Sequence, residues 1–146
     1  MSPLISICIL TFNSAKFIAE TIESAIKQTL LDIEIIIVDN CSTDATVEIC
    51  NRYKDQDARI TIYKNDIPLG ITGGLNSCLE RSKGEYVKIL MHDDMLTLDS
   101  LERMVEVFKN NLSVKLVGCA EKQINESGKT MPTLAVFSES GITSGR

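Results

Sequence analysis

Two short apolar runs separated by a stretch of helical periodicity constrain this chain more than any other feature. Leu4 to Thr11 reads LISICILT, and Ile33 to Val38 reads IEIIIV. Runs this short cannot span a bilayer, and their β-branched content favours strands buried within a parallel sheet. Between them Phe17, Ile18, Ile22, Ala25 and Ile26 recur at helical spacing, which predicts a helix with one apolar face reaching about Leu30. Asn13 or Ser14 is its candidate N-cap.

The alternation continues. Asp39-Asn40-Cys41-Ser42-Thr43-Asp44 stops the second strand, and Ser42 or Thr43 is placed to cap a helix through Val47 and Cys50 to about Tyr53. Asp44 suits the acid-favouring start of that helix. Arg59 to Tyr63 alternates as a third, less buried strand. Pro68, Gly70, Gly73 and Gly74 form a tight loop feeding a helix from about Ile71 to Ser82, where glycine lets backbone amides approach an anion. The spacing matches neither a Rossmann fingerprint nor a P-loop. Gly84 to Asp94 reads GEYVKILMHDD; its strand, Val87 to Met91, is expected to be buried on both faces and to end in His92, Asp93 and Asp94. Leu101, Met104, Val105 and Phe108 mark the buried face of a following helix, with Asp99 or Ser100 near its start. Val114 to Ala120 is a further strand candidate, Asn125 to Lys129 a turn, and Ser138 to Arg146 a loop or tail. The pattern fades after Met131, so the fold is expected to be incomplete at its C-terminal end.

These elements predict an α/β fold: a single domain over residues 1–146, with an open, mostly parallel, Rossmann-like sheet and helices on both faces. Ligands of such sheets bind at the carboxyl edge, where strand order reverses. Thr11-Phe12-Asn13, Asp39-Asn40, Lys64-Asn65 and His92-Asp93-Asp94 all follow strands and so gather on one rim. Adjacent acids repel unless a cation or a donor shares them, so Asp93 and Asp94 point to a divalent metal; the alternative is a solvated turn. A metal on this rim would neutralise a pyrophosphate, and Asp39 would accept hydrogen bonds from a base or ribose.

Composition excludes some classes. A net charge of -5 offers no basic stripe for nucleic acid. The five cysteines form no CxxC pair, which favours reduced thiols in a cytoplasmic setting over zinc or a disulfide framework. With no charged-then-apolar leader at its start, the chain is expected to be soluble, with peripheral membrane association compatible with that expectation.

The ordered set PLISICILTFN, IIIVDNCSTDAT, a glycine-containing loop ending in Asn76, and KGEYVKILMHDDM resembles the nucleotide-binding half of family 2 glycosyltransferases with the GT-A fold. The resemblance covers about Pro3 to Gly118. It implies inverting transfer of a sugar from a nucleotide-diphosphate donor, a UDP-sugar foremost, to a carbohydrate or lipid-linked acceptor. Bacterial polysaccharide synthesis, at the inner face of the membrane, is the implied setting. Thr11 and Phe12 would border the base, Asp39 would bind the nucleoside, and Asp93 would hold Mg²⁺ or Mn²⁺. Asn65, Gly70, His92 and Asp94 would lie beside the donor. Two positions depart from the family pattern: Met91 stands where the first Asp of the D-x-D motif is usual, and Leu75 where an arginine is common. No catalytic base is identified, since Glu121, Glu126 and Glu139 carry no local signal that separates them from surface acids. The alternative function is a non-catalytic nucleotide-sugar-binding module, or a fragment of a longer transferase. A phospho-receiver would need acids where Thr11-Phe12-Asn13 stands. A sugar nucleotidyltransferase or dinucleotide oxidoreductase would need a glycine-rich loop there.

Overall fold

The computed structural model describes residues 2–125, 127–132 and 141. It divides into two compact units, Met1–Leu101 and Glu102–Arg146. The first alternates strand and helix throughout: β1 Ile5–Thr11, α1 Ile18–Ile26, β2 Ile33–Asp39, α2 Thr46–Lys54, β3 Ile60–Lys64, α3 Gly70–Leu79 and β4 Tyr86–Met91. A last helix, α4 Ser100–Asn110, begins at its end and continues into the second unit.

The four strands form one sheet in the order β3-β2-β1-β4, and each neighbouring pair of strands in it is parallel. Chain direction across the sheet explains the layering. The crossovers through α1 and α2 both step from β1 towards β3, so right-handed connections put these helices on one face. The crossover through α3 steps back past β1 to β4 and places α3 on the other. There Cys78 and Leu75 of α3 pack on Cys8, Leu10, Ile36 and Val38. All of β1 and nearly all of β2 are buried, as the two apolar runs require. Each buried isoleucine contributes roughly 1.5–3 kcal/mol relative to exposure.

Four expectations are corrected. β4 is not buried on both faces: it is an edge strand, and Val87 and Ile89 remain 43% and 42% exposed. Its only sheet neighbour among the described residues is β1. Asn13 and Ser14 do not cap α1, which starts later from Phe17 and without a side-chain cap. Nor do Ser42 and Thr43 cap α2, because the β1–α1 loop engages them instead: Asn13 N–H donates to Ser42 Oγ and Thr43 N–H to Asn13 Oδ1. Finally, Val114 to Ala120 is not a strand. It is flanked and interrupted by exposed leucines, Leu112 and Leu116, and an apolar run without a ladder partner leaves its backbone groups to other donors and acceptors. The turn at 125–129 does form: Ser127 and Lys129 N–H donate to Asn125 Oδ1, and Gly128 takes φ +77. Glu126, Glu139 and the tail expected at 138–146 lie outside the described residues, Gly141 apart.

Candidate functional site

Strand order reverses between β1 and β4, so the switch point lies where Thr11 and Met91 end those two strands. Thr11 is a ladder partner of Asp39, and parallel partners project to the same face. Both are buried, at 0% and 1% exposure. The Thr11 hydroxyl has no hydrogen-bond partner. The Asp39 carboxylate accepts from Ser42 N–H at 3.1 and 3.3 Å, closing the turn after β2 around it. Burial, followed by the Asp39 charge, pushes the Cys50 thiol up to about 12.

The loops after β1 and β2 interlock above these residues. Besides the Asn13 bonds, Ser14 N–H donates to Thr46 Oγ1 at 2.7 Å and Ala15 N–H to Asp44 Oδ2 at 3.1 Å. Asn13 and Cys41 take φ 48 and 72, a left-handed backbone that the interlock must sustain. Phe12 is left half exposed at the rim, with its ring available to a ligand.

At the end of β4 a second buried polar atom lacks a partner: Nδ1 of His92, which lies 3.9 Å from Asp93 Oδ1. Asp93 and Asp94 face solvent. This segment is held by a stripe of polar groups on α1 and just beyond it, which sequence reasoning missed. Thr21 Oγ1 donates to His92 O at 2.9 Å, Leu96 N–H donates to Ser24 Oγ at 3.1 Å, and Gln28 Nε2 donates to Thr97 O at 2.8 Å. Thr21, Ser24 and Gln28 recur at the same helical spacing as the apolar residues beside them. Three polar residues within an otherwise apolar helix face were the available signal.

The strand ends thus carry every residue expected to contact the donor or the metal. Thr11, Phe12, His92, Asp93 and Asp94 gather at the β1–β4 switch, with Asp39 one strand away. Asn65 and Gly70 follow β3, at the opposite edge of the sheet. Among the described residues no three His, Cys, Asp or Glu side chains cluster closely enough to cage a metal. Mg²⁺ and Mn²⁺ sites of the diphosphate kind need only one or two carboxylates, with phosphate oxygens and water completing the shell. An exposed Asp93 carboxylate beside a second acid fits that requirement.

A doubly wound parallel sheet with buried and exposed polar groups at its switch point defines a Rossmann-like α/β domain. Comparison with known proteins makes the assignment particular. Residues 6–143 match the profile of Glycosyl transferase family 2, and the chain belongs to that family. Glycosyltransferase GlyG of Streptococcus pneumoniae is 35% identical over 106 residues, which are 73% of this chain and 35% of GlyG. Chondroitin synthase of Escherichia coli is 32% identical over 126 residues, 86% of this chain and 18% of the synthase. Staphylococcus aureus TarS 1–349 in complex with UDP-GlcNAc superposes with a TM-score of 0.70 at 25% identity, covering 86% of this chain and 39% of that TarS 1–349 chain. The mannosyltransferase PcManGT from Pyrobaculum calidifontis, solved with GDP-Man and Mn²⁺, gives 0.68 at 25% identity over 74% of this chain and 33% of the enzyme. The fold is GT-A. This chain spans well under half the length of these curated relatives.

Proposed function

We propose that this chain is the nucleotide-sugar-binding domain of an inverting glycosyltransferase acting in bacterial polysaccharide synthesis. The observation that carries the reading is the convergence of Thr11, Asp39 and the His92-Asp93-Asp94 segment on the β1–β4 side of the rim, in a chain of family 2. Asp39 accepts hydrogen bonds from the nucleoside, Thr11 and Phe12 border the base, and Gly70, His92 and Asp94 lie along the donor. Asp93 holds Mg²⁺ or Mn²⁺, which when bound offsets the charge of the leaving diphosphate. The solved neighbours support both ligands: one was crystallised with UDP-GlcNAc and another with GDP-Man and Mn²⁺.

A UDP-sugar is the proposed donor, and a carbohydrate or lipid-linked hydroxyl the acceptor. No helix among the described residues is long and apolar enough to cross a membrane. The proposed setting is the cytoplasm, at the membrane's inner face. No base is assigned; Glu121, the described member of the three late acids, is exposed. Residues 1–146 are proposed to act as a single domain in this binding.

Titration calorimetry with UDP, with and without Mg²⁺ or Mn²⁺, tests the site. Metal-dependent binding is expected, weakened at least tenfold, or about 1.4 kcal/mol, by Asp93→Ala and by Asp39→Ala. Unchanged affinity in both folded variants would overturn the assignment. Turnover of a UDP-sugar separates a catalytic chain from a binding module.

A further inference from the structure

The loop between β3 and α3 has almost no apolar anchorage. Ile67, Leu69 and Ile71 are 64%, 43% and 68% exposed, and Asp66, Pro68 and Gly70 are exposed as well. Hydrophobic burial does not hold this segment, yet it carries a defined backbone, with Gly70 at φ +66 opening α3. The restraint is polar and lies beneath the loop. Asn40, buried at the end of β2 beside Asp39, accepts from Leu69 N–H at 2.9 Å through Oδ1 and reaches Gly70 O through Nδ2 at 3.5 Å. One carboxamide therefore grips both ends of the Leu69–Gly70 segment.

Asn65 orients that carboxamide. Its Nδ2 donates to the same Asn40 Oδ1 at 3.1 Å, and its Oδ1 accepts from Ser77 Oγ of α3 at 3.0 Å. Ser77 Oγ and O in turn accept from Arg81 at 2.7 and 2.6 Å. The Asn65 backbone is stitched to the same turn, its N–H donating to Asp39 O at 2.9 Å and its O accepting from Cys41 Sγ at 3.1 Å. Asn40, Asn65 and Ser77 are all at least nine-tenths buried.

We propose that Asn40 and Asn65 are positioning residues that clamp the β3–α3 loop beside Asp39, so that a nucleoside diphosphate meets a loop already in place. The inference rests on the nucleotide-binding reading above. It changes the role of Asn65: both its amide atoms are engaged inside the protein, and it acts through Asn40 and the loop rather than by touching the ligand. Ordering a free loop on binding costs affinity, and the clamp removes that cost beforehand. Truncating either residue leaves buried amide groups unpaired and releases the loop.

The test combines hydrogen exchange over residues 66–71 with calorimetric titration of UDP and Mg²⁺, on wild type, Asn40→Ala, Asn65→Ala, the double variant and Ile60→Val. The last is buried in β3 and supplies a loss of stability without touching the clamp. Both Asn variants are expected to exchange the loop amides at least tenfold faster and to raise the UDP Kd on the order of tenfold, about 1.4 kcal/mol. The double variant is expected to be no weaker than Asn40→Ala, because Asn65 acts through Asn40. Ile60→Val is expected to lower Tm with little change in loop exchange or Kd. Should Asn40→Ala fail to fold, Asn65→Ala carries the same two readouts, since it leaves the Asn40 carboxamide in place but removes the bond that orients it towards Leu69. Wild-type affinity in Asn65→Ala, or a loss that tracks Tm as in Ile60→Val, overturns the clamp alone. No UDP binding by wild type overturns the nucleotide reading and this inference with it, and the wild-type titration tells the two failures apart.

Discussion

At Gly84 there is no room for a side chain. A Cβ there would lie 2.5 Å from the Ser6 backbone nitrogen and 2.8 Å from the Ile5 carbonyl carbon, atoms of a fully buried strand that has nowhere to retreat. The Gly84 N–H also donates to Ser6 Oγ at 2.8 Å, which fixes the close approach. At Gly74 the overlap is instead with the Leu10 side chain, which can turn, and alanine in the middle of α3 recovers up to about 1 kcal/mol of helix propensity. Gly84→Ala is therefore expected to destabilise by about 3 kcal/mol and Gly74→Ala by about 1 kcal/mol, read by urea unfolding. The reverse ranking would show that the β1 backbone yields more easily than the core around Leu10. Sequence reasoning placed Gly74 with the loop glycines feeding α3, whereas it lies within that helix, and assigned Gly84 no role beyond opening the fourth-strand segment; the close contacts depend on which element comes to lie opposite.

Among elements, the interlock between the β1–α1 and β2–α2 loops has a titratable member. The Thr46 hydroxyl, then the N–H groups of Thr46 and Ala15, hold the Asp44 carboxyl below the usual carboxylate range. Because the folded pKa is depressed, the stabilisation is fully present above the unfolded value near about 3.9 and is lost as pH falls through the folded one. The stability difference between wild type and Asp44→Asn is expected to be largest at neutral pH and to close below about pH 4, measured by urea midpoints across that range. A constant difference down to pH 2 would remove Asp44 from the acid response. Sequence reasoning placed Asp44 at a helix start and found the turn around it. It missed the bonds between loops, because Asn13 and Ser42 each read locally as helix caps and a local pattern does not reveal a partner thirty residues away.

Across the molecule, the central strands carry most of the packing, and the Val87–Ile89 face of β4 shares little of it. Val87 and Ile89 are ladder partners of Ser6 and Cys8, on the face where α3 packs on β1 and β2, yet both remain more than two-fifths exposed. Ile37→Ala in β2 is expected to cost about 2–5 kcal/mol, whereas Ile89→Ala in β4 is expected to cost below about 1 kcal/mol. Equal losses in chemical denaturation would mean that Ile89 is covered in solution.

The sequence by itself determined the alternation of strands and helices, the parallel sheet, and the collection of Thr11, Asp39, Asn65 and Asp93 on one rim. Hydrophobic period and turn chemistry are local, and in a parallel sheet every strand ends at the same edge. Tertiary structure decided the strand order, and with it that β1 and β4 flank the switch point and that β4 is an edge. An apolar strand reads alike in the centre of a sheet and at its margin, so only the crossovers distinguish them. Tertiary structure also decided that Asp39 is buried beneath its own turn and that Asn65 faces Asn40. The Asn65–Asn40 contact joins residues 25 apart in the chain, and no periodicity encodes it.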